Sequence, residues 1–520
     1  MTQDKETKRT KKRPFKMPSA FAILFGIIAV MALLTWIIPS GQYSMTEGDD
    51  PTPIAGSYQR VDKVQTDEDG VSTDSRQGAW EVFQAPIKGT VEAVDVVLFV
   101  LVLGGFLGVT MKTGALDALF GKIIKGLKGK EQWMIPILMT FFAIGGTTYG
   151  MQEETVAFYA LVVPIVLAAG YNGLTAAMII ILGAGVGVLG STVNPFSTGI
   201  ASGFANISIG DGIIERLVIL VLSLIAAIWF TMHYAAKVKA GERGQDSKRD
   251  HKHRRAVAKE GEVLELTPAR KATVWVFGLT FVLMILAVIP WAYKFDITVF
   301  EDFNSWLLAI PVVGPFIGAI PPFGDWWFNE LSTLFLVSSV IIGLFYFRGK
   351  NRSDDEDDNY FGTFISGAKD LLSVALIIGV ARGVSVIMND GAIMATIINA
   401  GEQLLQMVPS VILPGLAFIV YLPLSFFIPS TSGLATASMP ILAPLADFAG
   451  IDRSLIVTAF QTAAGVINMI APTVASVMGG LALAKVSYGL YVKRTWKFMV
   501  IVSVISVVVL TASVLITGVA

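Results

Sequence analysis

The sequence predicts an all-α polytopic membrane protein built from inverted repeats with broken helices and re-entrant hairpins. Three observations carry that expectation. The 520-residue chain is 54% hydrophobic and 15% charged, where a soluble protein of this size is nearer one quarter charged, and its mean hydropathy is +0.66. Apolar runs recur along its whole length. Two stretches in opposite halves also share the same turn and break residues at matching spacings.

The elements follow in chain order. Lys8, Arg9, Lys11, Lys12, Arg13 and Lys16 precede an apolar run at 20–38. A secretory signal begins in the same way. This run, however, is long enough to cross a bilayer and Pro39-Ser40-Gly41-Gln42 is a poor cleavage site, so a retained first helix is expected. Further spans are expected at 94–111, 133–144, 156–169, 174–189, 213–232, 274–291, 331–347, 371–388, 411–428, 434–449, 455–470, 474–484 and 498–516. Those flanking Glu153 and Glu154, and the one after Pro472, fall short of the roughly 20 residues a straight span needs. Short segments ending in Gly, Pro, Ser or Asn predict half-helices or re-entrant hairpins. Such backbone is tolerated at membrane depth only inside protein or beside a water-filled cavity. Gly104-Gly105-Phe106-Leu107-Gly108 lacks the full dinucleotide spacing and lies in a span, so close packing is its expected role.

Basic clusters at 5–16, 112–130, 237–271, 348–352 and 485–497 go to the cytoplasm by the positive-inside rule. That leaves loops 41–93 and 292–330 outside, with Asp49, Asp50, Asp67, Glu68, Asp69 and Asp325 and few basic residues. The layout is a basic cytoplasmic tail (1–18), a first helix with an external loop (19–93), repeat 1 (94–235), a cytoplasmic linker with connecting helices (236–365) and repeat 2 (366–520). His251-Lys252-His253-Arg254-Arg255 and the acidic run 354–358 read as solvated loops rather than metal or nucleic-acid sites. The net charge of −1 argues for neither nucleic acid nor general anion binding. The absence of cysteine excludes disulfides, Cys-ligated zinc and thiol catalysis.

The repeat is read from the residues themselves. Pro164 leads through Gly170-Tyr171-Asn172 into Leu174, and Pro444 leads through Gly450-Ile451-Asp452 into Leu455. Each stretch follows a small-residue break, at Gly145, Gly146 and Gly150 in one half and at Ser430-Thr431-Ser432-Gly433 in the other. A second break around proline follows in each: Ser191-Thr192-Val193-Asn194-Pro195, and Asn468 with Pro472-Thr473. The charge rule gives the halves opposite senses, since the span at 94–111 runs inward and its counterpart at 371–388 runs outward. Inverted repeats with broken segments at corresponding positions are the pattern of secondary transporters, with the site near the midplane.

Four breaks should therefore converge. The stretch 145–155 supplies Glu153 and Glu154, with Tyr149 and Gln152 beside them. A carboxylate in hydrocarbon costs about 2.5–3.5 kcal/mol on insertion scales, so two in succession require water, a cation or broken helix ends. Ser191, Thr192 and Asn194 supply hydroxyls, an amide and backbone freed by Pro195, which lacks an N–H. Ser430, Thr431, Ser432, Asn468 and Thr473 come from the second half. Opened carbonyls suit cations, and half-helix N–H groups suit a carboxylate. Close packing is the competing account of the small residues, and a plain interfacial loop that of the glutamates. Arg382 reads either as counter-charge to an acid such as Asp390 or as a substrate ligand. A substrate with an α-carboxylate and a cationic side chain suits the mixture; a glutamate acting as the proton site of a proton-coupled carrier suits it too.

At these residues the chain resembles the YfcC-like group of the C4-dicarboxylate anaerobic carrier-like family, within the wider ion-transporter superfamily. The resemblance rests on Gly145 through Glu154 with its Gly-Met-x-Glu-Glu element, on Gly170-Tyr171, on Asn194-Pro195, and on Ser430 through Gly433 before Met439-Pro440. Phe15-Lys16-Met17-Pro18 and Trp36-Ile37-Ile38-Pro39-Ser40-Gly41-Gln42-Tyr43 add to it. It implies a homodimeric carrier with scaffold and mobile regions, working by an elevator motion, and some members resemble arginine/ornithine antiporters. Related sodium–dicarboxylate carriers use paired Ser-Asn-Thr elements. This chain departs from them at both breaks, and two glutamates would repel a dianion.

The sequence-based expectation is a carrier and not an enzyme, multi-pass in the bacterial cytoplasmic membrane with its N-terminus inside. It exchanges basic amino acids, arginine for ornithine, with a proton- or sodium-coupled carrier of C4-dicarboxylates or short carboxylates as the alternative. Partners are the small-molecule substrate, membrane lipid and a second copy of the chain; no cofactor, metal or nucleic acid is expected.

Overall fold

A computed structural model describes residues 20–45, 54, 56–66, 72–126, 131–152, 155–241, 264–318, 320–347, 359–405, 408–428, 430–472 and 474–517. Glu153, Glu154 and Thr473 lie outside the described residues. So do the basic tail, most of the 241–265 linker and the acidic run at 354–358.

Helix α1 (Ala20–Ile37) is followed by two small antiparallel hairpins, Gly41–Gln42 with Gln59–Arg60 and Val64–Thr66 with Ser72–Asp74. These hairpins are strands that an all-α expectation omits. Then comes a run of helices: α2 (Ala79–Glu92), α3 (Val94–Lys112), α4 (Ala115–Gly126), α5 (Glu131–Tyr149), α6 (Thr155–Ala168) and α7 (Gly173–Gly190). A break and a π-helical turn, Pro195–Gly199, lead into α8 (Ile200–Ala205) and α9 (Ile213–Lys239). Connecting helices α10 (Pro268–Val288), α11 (Trp291–Phe295), α12 (Val299–Ala309), α13 (Val313–Ile317) and α14 (Phe328–Tyr346) join the halves. The order then recurs as α15 (Tyr360–Asp370), α16 (Leu372–Asp390), α17 (Met394–Leu405), α18 (Leu413–Phe427), α19 (Thr431–Phe448), α20 (Arg453–Asn468), α21 (Ala475–Leu483) and α22 (Tyr488–Thr517). Among the described residues seven helices are long and apolar enough to cross a membrane, and three shorter apolar helices accompany them.

The recurrence extends to atomic detail. Gly170 and Gly450 both take positive φ, +88° and +65°. The next N–H in each case reaches back to close the same turn, Tyr171 to the Val166 carbonyl at 3.1 Å and Ile451 to the Ala446 carbonyl at 3.0 Å. Glycine meets the left-handed requirement of such a helix stop without Cβ strain. Asn172 and Asp452 then cap the following helices, accepting from the Thr175 N–H at 2.9 Å and the Ser454 N–H at 2.8 Å, a contribution of about 1 kcal/mol each.

The halves are interleaved. α2 packs on α16 of the other half, and α15 packs on α3. Small residues make both crossings close: a Cβ on Gly89 would lie 2.5 Å from the Gly379 carbonyl oxygen, and one on Gly367 would lie 2.4 Å from that of Gly104. Gly104 and Gly108 thus serve helix packing, as their position in a span predicts. Gly367→Leu is expected to destabilise the protein by about 1–3 kcal/mol through overpacking, read as a lowered unfolding temperature in detergent. The central helices α7 and α20 meet along glycines. A Cβ on Gly185 would touch Met469, and one on Gly465 would touch Leu189. Residue numbers rise along one helix as they fall along the other, so these corresponding helices run antiparallel.

Two expectations are corrected here. Gly145 and Gly146 do not break the chain; α5 continues through them to Tyr149. The reason is proximity: a Cβ on Gly146 would lie 2.4 Å from the Ala184 carbonyl oxygen of α7, so the glycines admit a neighbouring backbone and the helix persists. Gly433 likewise lies within the first turn of α19 rather than outside it. The amphipathic helices α2, α4, α15 and α17 are absent from the expected spans.

Candidate functional site

The first tip opens at Gly150, where φ is +78° and α5 has ended. A Cβ on Gly150 would lie 2.7 Å from Asn194 Oδ1, so glycine here both makes the turn and lets the first break approach. That break begins when Ser191, at φ +21°, leaves α7. Such a backbone persists only when its surroundings hold it. Ser191 N–H stays bonded to the Gly187 carbonyl at 2.8 Å, and its hydroxyl shares a proton with Thr198 Oγ1 at 2.7 Å. Thr192 N–H donates to Thr147 Oγ1 at 2.9 Å and Val193 N–H to the Thr147 carbonyl at 3.3 Å, tying the break to α5. Asn194 accepts from Phe196 N–H at 2.9 Å and caps the π-helical turn that starts at Pro195. π-Turns of this kind concentrate at functional sites.

The second half reaches the same place. Gln152 Nε2 donates to the Asn468 carbonyl at 3.0 Å, and Asn468 Nδ2 donates to Thr431 Oγ1 at 3.2 Å. Ser430 caps α19, accepting from Gly433 N–H at 3.2 Å, with Ser432 Oγ 3.4 Å away. One path of contacts therefore runs from Asn194 to Gly150, through the turn to Gln152, then to Asn468, Thr431 and Ser430. Glu153 and Glu154 follow Gln152 directly in the sequence. The ring of Tyr149 packs on Phe277 and Phe281 of α10, with centroids 5.6 and 5.7 Å away. Pro472 sits in the second break, exposed.

Comparison with known proteins gives this arrangement a family. The C4-dicarboxylate anaerobic carrier family, DcuC, matches residues 17–515. The chain belongs to the DcuC family. A Haemophilus influenzae protein of uncharacterised function is 32% identical over 89% of this chain and 90% of its own length. The Escherichia coli protein YfcC, whose name describes it provisionally as a basic amino acid antiporter, is 27% identical over 95% of this chain and 94% of its own. Two solved structures share the fold. MtrF of Neisseria gonorrhoeae, described as illuminating a class of antimetabolite efflux pumps, has a TM-score of 0.63 at 14% identity, covering 95% of each chain. The YdaH transporter of Alcanivorax borkumensis, described as having an unusual topology, has a TM-score of 0.63 at 13% identity, covering 96% of this chain and 99% of its own. This DcuC-family chain is a multi-pass membrane transporter.

Sequence reasoning missed several groups that hold the DcuC-type breaks together. Gln461, wholly buried on α20, reaches across to the first break: its Oε1 accepts from Thr198 Oγ1, and its Nε2 donates to the Leu189 carbonyl at 3.5 Å. Tyr491 and Tyr488 tie off the second break, their hydroxyls donating to the Met469 and Ile470 carbonyls at 2.8 Å each. The signal was present, since an amide or phenol within an apolar run needs a partner. Arg382 is also corrected in detail. Its partner is Glu92, Nε to Oε2 at 2.9 Å, while Asp390 pairs with Lys88 at 2.8 Å.

Proposed function

We propose that this DcuC-family chain is an antiporter of basic amino acids, exchanging arginine for ornithine across a bacterial cytoplasmic membrane. The observation that carries the reading is the path of contacts joining both halves: Thr192 is hydrogen-bonded to Thr147, Asn194 closely approaches Gly150, and Gln152 and Thr431 are hydrogen-bonded to Asn468, next in sequence to two carboxylates. In this reading Glu153 and Glu154 neutralise the cationic side chain, a guanidinium being held bidentately. Hydroxyls and backbone groups around Ser191, Thr192, Asn194 and Ser430 through Ser432 hold the amino-acid end.

The antiparallel course of α7 and α20 supports an inverted repeat, and with the basic clusters it supports an internal N-terminus. The resemblance supports a homodimer and an elevator motion, in which the breaks travel with their hairpins against a scaffold. Exchange requires only that the loaded carrier reorients readily and the empty one does not.

The test is exchange of radiolabelled arginine by purified carrier in liposomes. Glu153→Gln with Glu154→Gln is expected to lower it by about a hundredfold or more, the scale of losing two charge-assisted hydrogen bonds. Undiminished exchange would remove the reading. The second reading, a proton- or sodium-coupled carboxylate carrier, is favoured by the family's dicarboxylate name. Net uptake of succinate driven by an imposed gradient would establish it.

A further inference from the structure

A cavity of about 460 Å³ lies between α2, α3 and α16 on one side and the end of α8, the C-terminal half of α19 and the start of α20 on the other, lined among others by Glu92, Asp95, Arg382, Asn206, Asn389 and Arg453. It is distinct from the cluster of breaks. Along α19, Pro440 at the cavity is ten residues from Ser430 at the break, about 15 Å of helix. Its volume falls in the roughly 300–1,000 Å³ range of small-molecule sites.

The charges in it are incompletely used. Arg453 is committed, forking onto Asp447 and donating Nη1 to the Ala205 carbonyl at 2.8 Å. Arg382 spends only Nε, on Glu92, and lies over the Phe204 ring at 5.3 Å. Its two Nη groups make no hydrogen bond among the described residues. Asp95, half-buried in the first turn of α3, makes none either. A first-turn acid gains from the helix dipole on its own account, but that does not explain a guanidinium left open across the same cavity. Within the pair, Arg382 already displays how Glu92 receives a guanidinium.

We propose that this cavity is a second, peripheral amino-acid site, where the Nη groups of Arg382 take the α-carboxylate and Asp95, with Glu92, takes the cationic side chain. The site rests on the basic amino acid reading and extends it, giving the substrate a station away from the breaks. A guanidinium substrate arriving there competes with Arg382 for Glu92, so carboxylate capture and release of the ion pair are one event.

The experiment is arginine exchange in proteoliposomes, with agmatine, which lacks the carboxylate, as competitor. Arg382→Gln is expected to raise the KM for arginine about tenfold or more while leaving inhibition by agmatine undiminished or stronger, because Glu92 is then freed for its guanidinium. Asp95→Asn is expected to weaken both, each change being the scale of one charge-assisted contact. A merely structural role would move arginine and agmatine together. If Arg382→Gln does not accumulate, Arg382→Lys keeps the charge without the planar fork and should raise the arginine KM severalfold. Wild-type KM in every accumulating variant overturns the peripheral site and leaves antiport standing. A wild-type carrier that neither exchanges arginine nor is inhibited by it overturns both.

Discussion

Gly187→Leu is expected to abolish recovery of folded carrier. A Cβ at Gly187 would lie 2.3 Å from the Ala143 carbonyl oxygen of α5, and the reciprocal Cβ at Gly146 would lie 2.4 Å from the Ala184 carbonyl oxygen of α7. Both obstacles are backbone, so neither can rotate away, and the helices must separate. Overpacking a tight site costs typically 1–3 kcal/mol and sometimes more; here it would also pull Thr147 from Thr192. The measurement is the monodisperse fraction after detergent extraction. Gly278→Ala is the control with the opposite sign, because nothing lies within 4 Å of a Cβ there and alanine favours a helix by up to about 1 kcal/mol. A leucine variant recovered like wild type would show that the two helices are held apart.

Gln461→Leu should leave the protein folded but lower exchange by roughly tenfold to a hundredfold. The change removes the acceptor of the Thr198 hydroxyl and the donor to the Leu189 carbonyl, leaving the Leu189 carbonyl of one half without its partner from the other. A lost buried hydrogen bond costs about 1–3 kcal/mol, and 1.4 kcal/mol is a factor of ten. Without Gln461 the single Thr198 hydroxyl proton can turn to the Ser191 carbonyl, 2.7 Å away, which is why folding survives. The readout is initial exchange rate at matched protein amounts, and an unaltered rate would separate Gln461 from transport.

Much of this architecture was legible in residues with a single physical meaning. Gly170 and Gly450 can stop a helix left-handed, Asn172 and Asp452 can restart one, and Asn194-Pro195 joins a capping residue to one suited to a first turn, so the turns and the first break could be placed. Gly145 and Gly146 were misread because glycine has two meanings in a membrane helix: it opens backbone, or it admits a neighbour. Only the position of α7 decides between them. The amphipathic helices were missed because half their surface is polar, which keeps them below the hydropathy of a span. Arg382 was offered Asp390 as partner on sequence nearness. Eight residues of helix set the two about 12 Å apart along the axis, and the acid within reach, Glu92, comes from the other half. The convergence of Gln152, Asn468 and Thr431 was expected in outline, but which amide meets which hydroxyl depends on crossings that no local pattern encodes.

Every residue of α7 is buried, yet the helix is as apolar as one that faces lipid. That combination has a consequence for biogenesis. An apolar helix of this kind enters the bilayer from the translocation machinery against lipid, and must later exchange that lipid for protein. Part of its final coat comes from the C-terminal half: Met469 at Gly185, Gly465 at Leu189 and Ala484 at Gly173. Insertion and enclosure are therefore separated in time by the synthesis of most of the second half. During that interval a glycine-rich seam faces hydrocarbon and is open to a wrong helix. A nascent chain arrested before α20 should accordingly be inserted but protease-sensitive, and become resistant only when the last helices are released.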